Sequence, residues 1–195
     1  MANTNAPFGF SPSRKVPGSG MDFGMTTRLI KGTSSTAVFR GDPVIWDSGN
    51  PGFVTIASSP STATIVGVAW GFQYQQTGQG GAVLPWNDYF PGSGVASGDV
   101  SVQVIDDPNA IFRVQCGATA LAQADVGANV QYVAGTGNTA NGISGAYLNT
   151  STTTTNTLPF QVYSILGAPV TDPTSAYNQI EVVFNNQIYK NSTGA

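Results

Sequence analysis

The 195-residue chain has no histidine, a single cysteine and only 9% charged residues, and each scarcity closes off some chemistry. Without histidine it lacks the commonest general base, the usual nucleophile–histidine triads and imidazole-based metal sites. Cys116 alone can form neither an intrachain disulfide nor a cysteine-rich zinc site. Its alternating neighbours in "AIFRVQC" read it as a small core residue. No run approaches eighteen apolar residues, and no charged stretch leads into an apolar one at the start, so neither a membrane span nor a signal peptide is expected. The glycine cluster "TGQGG" lacks the Lys-Ser/Thr and helix that would make it a phosphate loop.

Low charge also bears on partners. A typical soluble domain carries about 25% charged residues, so here solubility rests on Ser, Thr, Asn, Gln and backbone amides. A surface of that kind repels its neighbours weakly and suits a subunit of an assembly. Five of the seven basic residues (Arg14, Lys15, Arg28, Lys31 and Arg40) fall in the first forty positions, where Asp22 is the only one of the ten acids. The opening therefore carries +4 and the remainder −7. Five scattered cations without an aromatic-rich basic face make a poor phosphate track, which argues against nucleic acid. An acidic protein surface is the better partner for this segment.

What is present is punctuation and alternation. Glycine (24) and proline (12) cut the chain into short pieces with strand character. Val66, Val68, Trp70, Phe72 and Tyr74 alternate with small residues, which predicts a strand with one large face and one that another backbone can approach. "DVSVQVI" and "AIFRVQC" alternate likewise and flank "DDPN", predicting a hairpin. Further strands are expected at "TAVFR", "PVIW", "GFVTI", "NVQYV", "GAYL", "FQVYSIL" and "QIEVVF". One short helix is expected in "ATALAQAD". "NTSTTTTNT", from Asn149 to Thr157, reads as an exposed loop, and "NNQIYKNSTGA" as a tail. The fold class is mainly β, a single barrel or sandwich, divided into an extended arm over 1–35 and a body over 36–195.

Candidate sites are few. Asp106 and Asp107 are adjacent on a turn, where neighbouring side chains point apart instead of converging on one substrate atom. Asp88 sits among Trp86, Tyr89 and Phe90, a group that is either a packing loop against the core or another subunit, or a sugar-stacking platform. No second carboxylate completes a glycosidase pair. "RGD" at Arg40, Gly41 and Asp42 matches an attachment tripeptide, and with Pro43 it also makes a tight turn. The glycosylation patterns at Asn149 and Asn191 are read as chance matches.

The opening "MANTNAPFGFSPSR" is apolar yet too broken for a helix. Fully extended it spans about 46 Å, enough to reach a neighbour as an added strand, with Phe8 and Phe10 as anchors. Lying on its own barrel or on a trimer mate is the other reading. Used as a tether, it is dispensable for folding.

"NAPFGFSPSR", "FRGDPV", "IVGVAWGFQY", "DDPNAIFRVQ", "ADVGANV" and "IEVVFNNQIY", in that order and spread over most of the chain, resemble the capsid decoration, or cement, proteins of tailed bacteriophages. The resemblance implies a non-enzymatic, cofactor-free, commonly trimeric β-rich protein on the outer surface of the virion head, where it bridges major capsid subunits. The charge distribution and the lack of long apolar runs add that no nucleic-acid or membrane partner is expected. Capsid contact is then expected at Phe8, Phe10, Arg14 and Lys15, and inter-subunit or glycan contact at Trp86, Tyr89 and Phe90. The alternative function is a carbohydrate-binding or adhesive module, and a carboxylate-based glycan hydrolase comes last.

Overall fold

The computed structural model describes residues 2–20, 22–57, 62–77, 86–95 and 98–190. The glycine run after Thr77 and the pattern at Asn191 lie outside them. The short alternating segments become strands, and the protein is mainly β, built from antiparallel sheets.

Six strands form one sheet in the order β1 (Ser11–Lys15), β9 (Ala110–Gln115), β13 (Gln179–Phe184), β12 (Phe160–Ile165), β10 (Asn129–Val133), β11 (Tyr147–Thr153). Five form a second, in the order β2 (Met25–Ile30), β8 (Val100–Ile105), β6 (Gly67–Gln73), β4 (Pro43–Trp46), β5 (Val54–Ile56). A short pair joins β3 (Val38–Phe39) to β7 (Tyr89–Phe90). The five-stranded sheet curls, since Arg28 of β2 lies 5.2 Å from the Trp46 ring of β4 and Lys31 lies 4.8 Å from the Phe53 ring. No ladder among the described residues closes it into a barrel.

Two apolar cores follow from this layout. The first is rich in aromatic rings: Phe10, Phe112, Tyr132, Phe160 and Phe184 meet edge-on or stacked, with Phe10 and Phe160 only 4.3 Å apart. The second lies against the five-stranded sheet and includes Ile30, Val44, Phe72, Phe90, Val100 and Val102. Strand β6 serves both. A bulge between Ala69 and Gly71 shifts its register, so Val68 enters the first core while Ala69, Phe72 and Tyr74 enter the second. The single large face expected for this strand is therefore split, because an inserted residue reverses the alternation beyond it. The close backbone approach is real: a Cβ on Gly67 would stand 2.4 Å from the Ile105 carbonyl oxygen.

Several expectations are corrected. The "DDPN" turn does not join a hairpin, because β8 and β9 belong to different sheets. Lys15 pairs with the Asp107 carboxylate and Arg28 with that of Asp106, which hold the turn where the chain changes sheets. Half of the threonine-rich run is strand, not loop: Thr152 and Thr153 pair with Val130 and Asn129 at the sheet margin, where β-branched residues fit the pleat. The helical stretch shrinks to one 3-10 turn, Gln123–Asp125. Residues 185–190 are not a loose tail, since Gln187 is fully buried and donates to the carbonyls of Val66 and Asp106.

The largest correction concerns the opening segment. Residues 1–35, expected as an arm separate from the body, supply β1 and β2, which stand at the margins of the two sheets. Ahead of β1 the chain is also fastened. Asn3 donates through Nδ2 to the carbonyls of Asp172, Ser175 and Ala176, and accepts through Oδ1 from Thr171 and Asp172. Gln115 holds both Thr4 and Ala6 by their backbone groups. The described part of the segment thus lies on its own body, the second of the two readings of the sequence.

Candidate functional site

Gly9 decides where the two expected anchors go. Alternation would put Phe8 and Phe10 on one side of an extended chain, but Gly9 adopts φ 71° and breaks it. It threads between Gly41 and Ser144, where a Cβ would come within 2.6 Å of the Ser144 Cβ. Its N–H donates to the Ala146 carbonyl, and that of Phe10 to the Gly41 carbonyl. Phe10 turns inward and is 0% exposed, so its assignment to capsid contact is withdrawn. Phe8 stays at the surface, half-buried.

Around Phe8 lies a hollow of about 380 Å³ lined by Phe8, Ser11, Arg40, Trp70, Arg113 and Ile143. Its lining comes from both sheets, Ser11 on β1 and Arg113 on β9 in one, Trp70 on β6 in the other. The β6 bulge directs Trp70 away from the core occupied by Phe72. Two guanidinium groups face aromatic rings here: Arg40 is 5.5 Å from the Trp70 centroid and Arg113 is 5.4 Å from that of Phe8. The Arg40 backbone is pinned by its N–H to the carbonyls of Asp88 and Gly142 and by its carbonyl to the Ser144 N–H. Its Nη1 donates to Asp88 Oδ1 at 2.6 Å.

Among the described residues no such carboxylate faces Arg113. The nearest in register is Glu181, directly across the ladder on β13. Glu181 accepts instead from Arg14, at 2.5 Å to Nη2, and from the hydroxyls of Ser13 and Ser164. Burial by itself would lift the Glu181 carboxyl, but these hydrogen bonds outweigh it and hold it below the ordinary value. Among the described residues the exposed Arg113 guanidinium therefore meets the Phe8 ring and no acid.

The other expected contacts scatter. Arg14, occupied by Glu181, also lies 5.4 Å from the Tyr163 ring. The Lys15 side chain is largely buried against Asp107, so it too is withdrawn as a contact. Trp86 is 54% exposed and packs beside Gly71. Tyr89 stacks flat on Phe39 at 5.2 Å, and Phe90 is fully buried, edge-on to Tyr74. With Phe90 in the core, the three rings do not form a shared sugar platform.

Arg40, Trp70 and Arg113 are the residues that sequence reasoning missed. Arg113 carried a signal, as the one charge in the otherwise uncharged strand "AIFRVQC"; Trp70 carried none, because the bulge is invisible in the pattern. The "RGD" turn is confirmed as a turn, with Asp42 buried and accepting from the Phe39 N–H and the Ser144 hydroxyl. Cys116 is buried, and burial pushes its thiol up to about 12. Among the described residues no three cysteines or carboxylates gather as a metal site. Asp88, Asp106, Asp107 and Glu181 each face a basic side chain. Comparison with protein-family models, with curated proteins and with solved structures returns no match to this chain.

Proposed function

We propose that this protein works by gripping other proteins, as a decoration (cement) protein on the outer surface of a tailed-bacteriophage head, where a homotrimer bridges neighbouring major capsid subunits. The observation that carries the reading is the hollow around Phe8: an exposed guanidinium with no acid among the described residues, beside half-buried aromatic rings, on an antiparallel frame with little charge. Such a surface offers recognition without bond-making chemistry. Aromatic rings and arginine are the residue types that anchor protein interfaces.

The mechanism is mechanical. A protein that binds the assembled shell and not its separated subunits stabilises the shell by mass action, about 2.7 kcal/mol per site at a free concentration one hundred times Kd. Three linked sites add avidity, because after the first engages the others face an effective concentration in the millimolar range. Contact then runs through a folded surface that includes Phe8, not through a mobile tether. Ordering costs are correspondingly small.

The test is co-sedimentation of the purified chain with isolated phage heads. Saturable binding, with heads that withstand higher temperature before releasing DNA, is expected. Failure to bind heads overturns the reading. The exposed Trp86 ring bears on the second reading, a carbohydrate-binding module, and hits on a glycan array that vanish in Trp86→Ala would favour it.

A further inference from the structure

Among the described residues a guanidinium lies against an aromatic ring four times, and three of these carry a carboxylate as well: Arg14 with Tyr163 and Glu181, Arg28 with Trp46 and Asp106, and Arg40 with Trp70 and Asp88. At Trp70, a guanidinium lies against an indole and a carboxylate closes the set: Arg40 is 5.5 Å from the ring and 2.6 Å from Asp88. At Phe8, in the lining of the same hollow, Arg113 lies 5.4 Å from the ring and, among the described residues, no carboxylate joins it. Its ladder neighbour Glu181 cannot supply one, being taken by Arg14, Ser13 and Ser164.

A guanidinium held against a ring keeps its N–H groups free at its edge, and these match the two oxygens of a carboxylate. Besides the two arginines and Ser11, the hollow is lined by apolar Phe8, Trp70 and Ile143, and 380 Å³ is room for a side chain of leucine size. We propose that Arg113 receives an aspartate or glutamate side chain from the partner protein, and that an apolar side chain next to that acid enters the hollow between Phe8, Trp70 and Ile143. The proposal rests on the protein-docking reading and names what is docked: a short acidic-apolar segment of a protein, not nucleic acid and not a free anion. The apolar walls separate these cases, because phosphate would leave them unfilled.

The full-length protein is titrated with N-acetyl-Leu-Glu-Leu-amide while the arginine Nε–Hε and Trp70 indole resonances are followed by NMR. N-acetyl-Leu-Gln-Leu-amide and inorganic phosphate are the comparisons. The Arg113 and Trp70 signals are expected to move with the acidic peptide, with binding of the glutamine peptide and of phosphate roughly tenfold weaker or more. Arg113→Ala should weaken the peptide by a similar factor, and Arg113→Lys, which keeps charge without the planar fork, should recover part of it. Equal shifts with phosphate, or none with the peptide at millimolar concentration, overturn the proposal. The same variants on phage heads separate the two readings. Unchanged decoration by Arg113→Ala removes the hollow from docking and leaves decoration standing, whereas a wild-type chain that ignores heads yet binds the acidic peptide keeps the hollow and discards decoration.

Discussion

Burial lifts the Asp42 carboxyl to about 6, against hydrogen bonds from Ser144 and the Phe39 N–H that pull the other way. The side chain ties the 39–42 turn to the 142–146 loop between which Gly9 passes. A carboxyl whose folded value exceeds its unfolded one, ordinarily near 3.9, favours the folded state in its protonated form. Its contribution is present in full below pH ~4 and is lost as pH rises through 6. Two units correspond to about 3 kcal/mol. Urea unfolding of wild type and Asp42→Asn between pH 4 and 7 should show the wild type losing stability relative to the variant by about that amount. A constant difference would mean that Asp42 ionises as freely in the folded chain as in the unfolded one. Carboxylates held low by partners, Glu181 and Asp107 among them, give the opposite slope in both proteins and cancel in the comparison.

Strand β1 and the residues ahead of it are the element whose role changes most. Its ladder with β9, the Arg14–Glu181 and Lys15–Asp107 pairs, and the Phe10 ring inside the aromatic core make it structural. Removing residues 2–15 exposes the margin of β9 and empties the centre of the core, so the shortened chain is expected to lose cooperative folding. Phe10→Ala reads the ring alone and should cost about 3–5 kcal/mol, measured as a shift of the urea midpoint. A truncated chain that unfolds at the wild-type midpoint would restore the dispensable arm. The misreading has a physical source. Proline, glycine and serine in "NAPFGFSPSR" weaken local strand preference, and only tertiary partners, a β9 ladder and an aromatic cavity, make the segment extended and fixed.

At the scale of the whole molecule the two cores are not independent. Strand β6 contributes to both, the 106–109 turn passes between the sheets, and Gln187 spans Val66 and Asp106 by hydrogen bonds. The Tyr132 hydroxyl donates to the Ala57 carbonyl, joining a core residue of one sheet to the end of the β4–β5 hairpin. Urea unfolding followed by far-UV circular dichroism and by tryptophan fluorescence should therefore give one coincident transition. Two separated transitions would divide the chain into units that these cross-links do not couple.

Composition and alternation determined that this protein is β-rich, that Cys116 is inert core and that histidine-dependent chemistry is closed to it, because these follow from residue identity and from a period of two along each strand. They also placed most strands of the body, from "PVIW" to "QIEVVF". Tertiary structure alone decided which sheet each strand joins, since "DDPN" has the chemistry of a turn but not the destination of its two ends. It alone turned Phe10 inward and left Phe8 out, through one glycine at positive φ. It also set Arg113 beside Phe8, Trp70 and Arg40, residues up to 105 positions apart in the chain. The reason is range: propensity and pattern act over a few residues, whereas a surface is assembled from whichever distant segments the ladders and cores bring together.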